Sequence, residues 1–321
     1  MISQEDIQKA AQIIKHGGLV AFPTETVYGL GADVFQAEAV VKIFKAKGRP
    51  QSNPLISHIA DLPQLDQLAI NIPKIAYTLA EKFWPGPLTV VLQKHPNVPD
   101  IVTAGLETVT IRMPRHTIAL ELIRTANTPI AAPSANISGK PSSTNHTHVL
   151  KYFPNSIDCI LPGGACEVGV ESTVLDLTSE TPTILRLGGL PVETLQQFIP
   201  ELTTAQPTTE PTHAKSPGML FRHYAPSGKI YTFSNQEELL MLLERHSKHS
   251  LGIMGFESLR TISEAHTKFF SLGNTIEEAT SHLFAGLNTM DETNKAIILI
   301  QIFPDHGLGR TYNERVKRAA E

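Results

Sequence analysis

Two cations, Lys47 and Arg49, stand one residue apart, with Asn53 and His58 close behind them. Upstream, Thr24, Glu25 and Thr26 gather two hydroxyls around one carboxylate. Further along, Thr108, Thr110 and Arg112 alternate with apolar residues, so a half-buried strand presents them on one face. Residues 133–142 hold Ser134, Asn136, Ser138 and Ser142 among small residues, a composition that lets backbone N–H groups close on a ligand. Glu171, Ser172 and Thr173 are consecutive, and Arg186 precedes two glycines, Gly188 and Gly189. Cations, hydroxyls, an amide and an imidazole suit an anionic, polyoxygenated ligand, and a guanidinium offers carboxylate or phosphate a planar fork. Each signal has a plainer counterpart. Cations at a helix exit complement the helix dipole, and an arginine on a strand can serve a surface ion pair. Residues 133–142 are not a Walker A loop, because Ser134 stands where that motif wants glycine and Pro141 follows Lys140.

The elements that must position these residues can be read from periodicity. The apolar run 19–22 predicts a buried strand, broken by Pro23. Gly29 and Gly31 read as turn positions where a side chain would obstruct the backbone. Ala39, Val40, Ile43 and Phe44 line one helical face, and Gly48 with Pro50 stops that helix. Residues 53–58 turn into another strand, completing a strand–helix–strand unit. Before it, residues 3–16 read as a helix capped by Ser3 with Asp6 and ended by Gly17 and Gly18. After it come a helix over 72–83, a rigid loop at 84–87 and a strand over 88–92. The segment 102–106 leads into a strand over 108–113, followed by a helix over 117–125 and strands at 129–132, 157–161, 168–177 and 184–187. This alternation predicts an α/β domain on an open, mixed sheet. Residues 203–215 are rich in threonine and proline and read as a linker. Residues 216–226 carry Met219, Leu220, Phe221 and Tyr224, apolar area with no place on a solvated tether, and read as a lid over the first domain's site. Strands at 230–233, 251–255 and 296–302, with helices at 237–245 and 276–288, predict a small parallel-sheet domain. No G-x-G-x-x-G follows its first strand, and a basic helix over 313–320 closes the chain. The expected division is 1–202, 203–228 and 229–321.

Composition narrows the function classes. Of 321 residues, 41% are apolar and 18% charged, as in an ordinary globular protein, and the net charge is −4. That charge is shared evenly, so neither half has the basic excess that sequence-independent nucleic-acid binding needs. The first eighteen residues lack an apolar core and do not read as a secretory signal. The most apolar run, 296–303, is too short for a bilayer span, so no membrane partner is expected. Cys159 and Cys166 are too few to staple a chain of this size and form no CxxC, so reduced thiols in the cytoplasm are expected. His146 and His148 read as a chance near-pair rather than metal ligands.

Taken in order, PTETVYGLG (23–31), Lys47-x-Arg49, NPLISH (53–58), WPGPLT (84–89), IRMP (111–114), APSAN (132–136) with its Ser134-x-Asn136, GVEST (169–173) and SPGMLFRHYAP (216–226) form a pattern. The chain resembles the L-threonylcarbamoyladenylate synthases of the YrdC type, in the long form with a Sua-type C-terminal domain. The resemblance implies a YrdC-like open twisted mixed sheet followed by a smaller Rossmann-like parallel domain. It implies condensation of L-threonine, bicarbonate or CO2, and ATP into threonylcarbamoyl-AMP and pyrophosphate. Another complex then passes the group to tRNA, and direct tRNA contact stays open. By the same resemblance Thr26, His58, Arg112, the Ala132 backbone and Ser172 hold threonine. Arg49, Asn53, Thr108, Ser134, Ser142, Arg186 and Tyr224 bind ATP, with Lys47 and Asn136 completing a tetrad that faces the nucleotide. Lys47 and Arg49 are the expected catalytic cations. Mg2+ arrives on ATP, no protein metal site is expected, and no prosthetic group is implied. Two other classes compete: an RNA-binding module using Lys42, Lys45, Lys47 and Arg49, and a carbamoyltransferase of the hydrogenase-maturation type, whose zinc-finger cysteines are missing here.

Overall fold

The structure is a computed structural model and describes residues 2–205, 224–263 and 267–321. The N-terminal helix Gln4–Lys15 starts as its sequence predicts. The Asp6 N–H donates to Ser3 Oγ at 3.1 Å and the Ser3 N–H donates to Asp6 Oδ2 at 2.9 Å. Its buried stripe, Ile7, Ala10, Ala11 and Ile14, shares one apolar cluster with Ala119, Leu122 and Ile123 of helix Thr117–Ala126. Strand Val20–Phe22 explains why its run is apolar on both sides. Val20 and Phe22 enter that cluster, whereas Leu19 and Ala21 join the larger core with Val40, Ile43 and Phe44. Alternate side chains point to opposite faces of a sheet, and helices cover both faces here.

The first unit is a mixed sheet of eleven strands among the described residues. In spatial order it runs Thr203–Thr204, Thr183–Arg186, Thr173–Asp176, Leu88–Lys94, Thr108–Arg112, Ile56–His58, Ile130–Ala132, Gly29–Asp33, Val20–Phe22 and Cys159–Ile160, with Ala69–Ile70 also on Leu88–Lys94. Gly29 and Gly31 are therefore strand residues, not turn residues, and the unit is strand–strand–helix–strand. Phe22 pairs with Gly29 across the ladder. A Cβ on Gly31 would stand 2.5 Å from Ile130 Cγ2 and 2.7 Å from Phe22 Cε1. Glycine is needed because the Phe22 ring lies over the position, not because the chain reverses.

Other expectations shift at their edges. The strand expected over 168–177 is only Thr173–Asp176. Ahead of it Gly169 has φ +71°, and a Cβ there would collide with Ser281 O of helix Ile276–Glu292, so contact with the C-terminal unit shapes this approach. Residues 102–106 contain the end of a short helix, Asp100–Thr103, stopped by Ala104 at φ 54°. The first two residues of the expected linker, β-branched Thr203 and Thr204, pair with Thr183 and Ile184 at the sheet edge. Of the expected lid, only residues 224–226 fall within the described residues.

The second unit is, among the described residues, a four-stranded parallel sheet in the order Lys229–Phe233, Ile297–Gln301, Leu251–Gly255, Thr267–Ser271. The edge strand Thr267–Ser271 was not expected from the sequence, since its five residues, two polar, two phenylalanines and a serine, show no alternation of apolar and polar positions. The two units meet through a shared core: Val27, Val170 and Tyr224 cluster with Leu283, Phe284 and Leu287. The Tyr152 hydroxyl donates to Asn288 Oδ1 at 2.7 Å, and Asn288 Nδ2 donates to Ser142 O at 3.2 Å.

Candidate active site

One cavity gathers side chains from most of the segments singled out above. Thr26, Arg49, His58, Arg112, Ala132, Ser134, Asn136, Ser142, Ser172, Arg186 and Tyr224 all line it, together with Tyr28 and Glu171. Strand register brings the first set together, because His58 sits opposite both Arg112 and Ile130. Arg112 is 3% exposed and held by three bonds. Nη2 donates to Glu25 Oε2 at 2.5 Å, Nη1 to Thr26 Oγ1 at 2.7 Å, and Nε to Gly86 O at 3.2 Å. The Thr24 hydroxyl donates to Val27 O at 2.6 Å, so at the 2.8 Å contact between the two hydroxyls Thr26 must be the donor. A relay from Arg112 through Thr26 to Thr24 follows, with each proton assigned.

Burial, and then the charge of Arg112, push the His58 imidazole down to about 3, so it is neutral at physiological pH. Its Nδ1 is buried without a partner, and its ring meets Phe22 edge-on at 5.7 Å. Arg186 donates from Nη2 to Ser172 O at 2.9 Å and to Ser172 Oγ at 3.2 Å. Ser172 Oγ also lies 2.6 Å from Thr89 Oγ1. Arg49 donates to Pro54 O at 2.9 Å and Asn53 O at 3.2 Å. Burial and the nearby Arg186 lower its pKa, yet a guanidinium keeps its charge at neutral pH. Among the described residues the cavity therefore faces three guanidinium groups, against one lining carboxylate, Glu171, which accepts from the Ser142 hydroxyl at 2.7 Å.

Three residues expected in the site do not line the cavity: Lys47, Asn53 and Thr108. Lys47 falls at the next turn of the buried stripe after Ile43 and Phe44, so its stem runs into the core and it is 1% exposed. Its Nζ donates to the backbone carbonyls of Ser134 and Asn136, at 2.6 Å for Ser134. Burial, and then the charge of Arg49, hold its ammonium well below the usual lysine range. Arg49 escapes this course because Gly48, at φ 62°, turns the chain out of the helix. Asn53 is buried and serves through its carbonyl. Thr108 shares a strand face with Arg112, but four residues at about 3.3 Å each put them roughly 13 Å apart. The structure also adds residues that sequence reasoning noted without assigning: Glu25 as the partner of Arg112, and Glu171 on the lining. Their signal was a lone carboxylate inside a hydroxyl-rich motif. Tyr28 was missed; its hydroxyl donates to Gly164 O and accepts from the Gly163 N–H, both at 2.9 Å. Tyr224, expected to bind ATP, has its ring on Phe284, with centroids 4.8 Å apart. Among the described residues no group of three or more His, Cys, Asp or Glu side chains gathers as a metal would need, and no helix is long and apolar enough to cross a membrane.

A mixed α/β sheet with guanidinium groups and hydroxyls around one cavity, packed against a small parallel-sheet unit, defines a two-unit enzyme for anionic substrates. The comparisons give that class its family. The Sua5/YciO/YrdC family model, described as "Telomere recombination", matches residues 12–188, and the model for the "Threonylcarbamoyl-AMP synthase, C-terminal domain" matches 190–321. The threonylcarbamoyl-AMP synthase of Pyrococcus abyssi is 46% identical over 329 residues, covering 99% of this chain and 95% of the relative. That of Bacillus subtilis is 40% identical, covering 98% and 92%. The crystal structure of Pyrococcus abyssi Sua5 complexed with L-threonine superposes with a TM-score of 0.94 at 45% identity, covering 100% of this chain and 95% of that one. The chain belongs to the Sua5/YciO/YrdC family, in the form that carries the Sua5 C-terminal domain.

Proposed function

We propose that this chain condenses L-threonine, bicarbonate or CO2, and ATP into L-threonylcarbamoyl-AMP and pyrophosphate, the first step of threonylcarbamoyladenosine formation beside the tRNA anticodon. The observation that carries the reading is the convergence of Arg49, Arg112 and Arg186 on one cavity that also presents a neutral His58. In this reading threonine lies against Thr26, His58, Arg112, the Ala132 backbone and Ser172. Its carboxylate meets the remaining N–H groups of the Arg112 fork, and the uncharged imidazole reads its hydroxyl. A site built to satisfy that hydroxyl rejects an analogue lacking it.

ATP takes the other half, against Arg49, Ser134, Asn136, Ser142, Arg186 and Tyr224. Lys47 acts from behind the lining by fixing the loop that carries Ser134 and Asn136, and Asn53 fixes Arg49. Thr108 is kept as an expected contact for ATP, at the opposite end of its strand from Arg112. The neutral threonine amine adds to CO2 and releases one proton to water, giving a carbamate, and a carbamate oxygen attacks the α-phosphorus. The bond from that phosphorus to the bridging oxygen breaks, and its electrons leave with pyrophosphate. Arg49 and Arg186 stand where charge grows on phosphate oxygens, and fixed cations in a water-poor site stabilise that charge without reorganising. No covalent link to the enzyme is needed. Mg2+ comes as part of the ATP substrate, a view supported by Glu171 being engaged by Ser142 and Arg315. The division of labour is a catalytic unit over 1–202 and a smaller unit over 229–321. The product goes to a separate tRNA-modifying complex. The free thiols of Cys159 and Cys166 fit a reducing, cytoplasmic compartment.

The test is incubation with labelled bicarbonate, threonine and ATP. A labelled adenylate that requires threonine supports the synthase. Carbamoyl transfer without threonine, or RNA binding with no adenylate, would replace it.

A further inference from the structure

Besides Asn288, which holds Ser142 O, a buried cation of the C-terminal unit reaches the cavity wall. Arg315, on helix Leu308–Ala320, is 1% exposed and is not part of the lining. Its Nε donates to Glu171 Oε2 at 2.9 Å and its Nη2 to Leu187 O at 2.6 Å. Its guanidinium carbon lies 5.6 Å from the centre of the Tyr224 ring, and Glu314 on the same helix bonds its third nitrogen. One side chain thus contacts three segments that shape the nucleotide half: the one carrying Glu171 and Ser172, the one following Arg186, and Tyr224.

Glu171 passes this on. Its second oxygen accepts the Ser142 hydroxyl at 2.7 Å. Burial opposes the charge on Glu171, but Arg315, Arg186 and the Ser142 bond outweigh it and hold the carboxyl below the usual range. With its proton committed to a carboxylate, Ser142 Oγ turns only lone pairs to the cavity. The ligand group it meets must be a donor, such as a ribose hydroxyl or an amino group, and not a phosphate oxygen.

We propose that Arg315 is a positioning residue for ATP: by holding Glu171 it fixes the Ser142 hydroxyl as an acceptor and keeps a counter-charge beside Arg186. This rests on the reading of that half of the cavity as the ATP site.

The experiment titrates Mg·ATP and L-threonine separately by calorimetry into full-length Arg315→Met, Arg315→Lys and Glu171→Gln/Arg315→Met, with thermal melts to establish folding. Arg315→Met weakens ATP by about tenfold, the scale of coupling through a packed contact, while the threonine Kd stays within about twofold. Arg315→Lys, which keeps the charge without the two-armed fork, gives a smaller loss. The double variant, which removes both charges, loses no more than the single one, since both residues act through one contact. An unchanged ATP Kd in folded Arg315→Met overturns the proposal, as does equal weakening of both ligands, which a general loosening would cause. Should Arg315→Met not fold, an unchanged ATP Kd in Arg315→Lys and in the double variant overturns it equally. Wild-type protein that makes no threonine-dependent adenylate sinks the functional reading, while the ATP titrations still judge Arg315. Wild-type protein that binds no ATP overturns both.

Discussion

Arg112→Lys isolates geometry from charge at the centre of the threonine half. Arg112 makes three bonds at once, to Glu25, Thr26 and Gly86 O. Lysine keeps the positive charge, so Glu25, whose side chain is 0% exposed, is not left as an unpaired anion. A single ammonium on the same strand position cannot span all three acceptors. Loss of two bonds, at about 1.5–3 kcal/mol each for a bond to a charged group, lowers stability by about 3–6 kcal/mol. That is a large share of the roughly 5–15 kcal/mol that separates native from unfolded protein. Urea denaturation at constant pH measures it. The same change removes the planar fork from the substrate carboxylate, so the threonine KM in pyrophosphate release rises about a hundredfold, equivalent to about 2.7 kcal/mol. The ATP KM stays within about twofold. Stability unchanged to within about 0.5 kcal/mol, the scale of an ordinary surface substitution, would refute the buried fork. A folded variant with the wild-type threonine KM would remove the carboxylate from Arg112.

The other expectations concern separate parts of the molecule. Arg49→Ala lowers turnover at saturating ATP by about 2–4 kcal/mol of barrier, as removal of a preorganised donor to developing charge does; steady-state rates of pyrophosphate release measure this, and unchanged turnover excludes Arg49 from the chemistry. His58 is buried neutral with its pKa depressed to about 3, so between that value and about 6.5 the unfolded chain binds the extra proton and the folded chain does not. Its contribution is complete above about pH 6.5 and is lost by about 1.4 kcal/mol per unit as pH falls through that window. Urea unfolding at pH 7 and pH 5 should therefore show a weaker pH dependence in His58→Gln than in wild type, and equal slopes would contradict the burial argument. Gly31→Ala overpacks Phe22 and Ile130 and costs about 1–3 kcal/mol. Gly48→Ala, with open space around its Cβ but φ at 62°, costs closer to 1 kcal/mol; chemical denaturation of the two variants compares them, and the reverse order would show that the close approach at Gly31 is absorbed by relaxation.

Much of this was legible along the chain because local physics sets it. The capping box at Ser3, the both-sided apolar run at 19–22, the helix stripe Ala39 to Phe44 and the parallel rhythm after Lys229 each depend on residues a few positions apart. The candidate site residues were legible for a different reason: singly each has a plainer use, but the ordered motifs that hold them carry the family resemblance, and most of them line one cavity. What the chain could not show is direction. Lys47 and Arg49 look equivalent as letters, but the helical stripe carries one into the core and the left-handed Gly48 turns the other toward the cavity. Thr108 and Arg112 share a strand face, yet strand rise puts them roughly 13 Å apart, and only Arg112 lines the cavity. Gly29 and Gly31 read as turns because their neighbour Phe22 is placed over them only when two strands pair. The partnership of Glu171 with Arg315 joins residues far apart in sequence, through an interface that exists only once both units have folded. Pairing across such separations depends on register and domain packing, and the tertiary structure alone decides it.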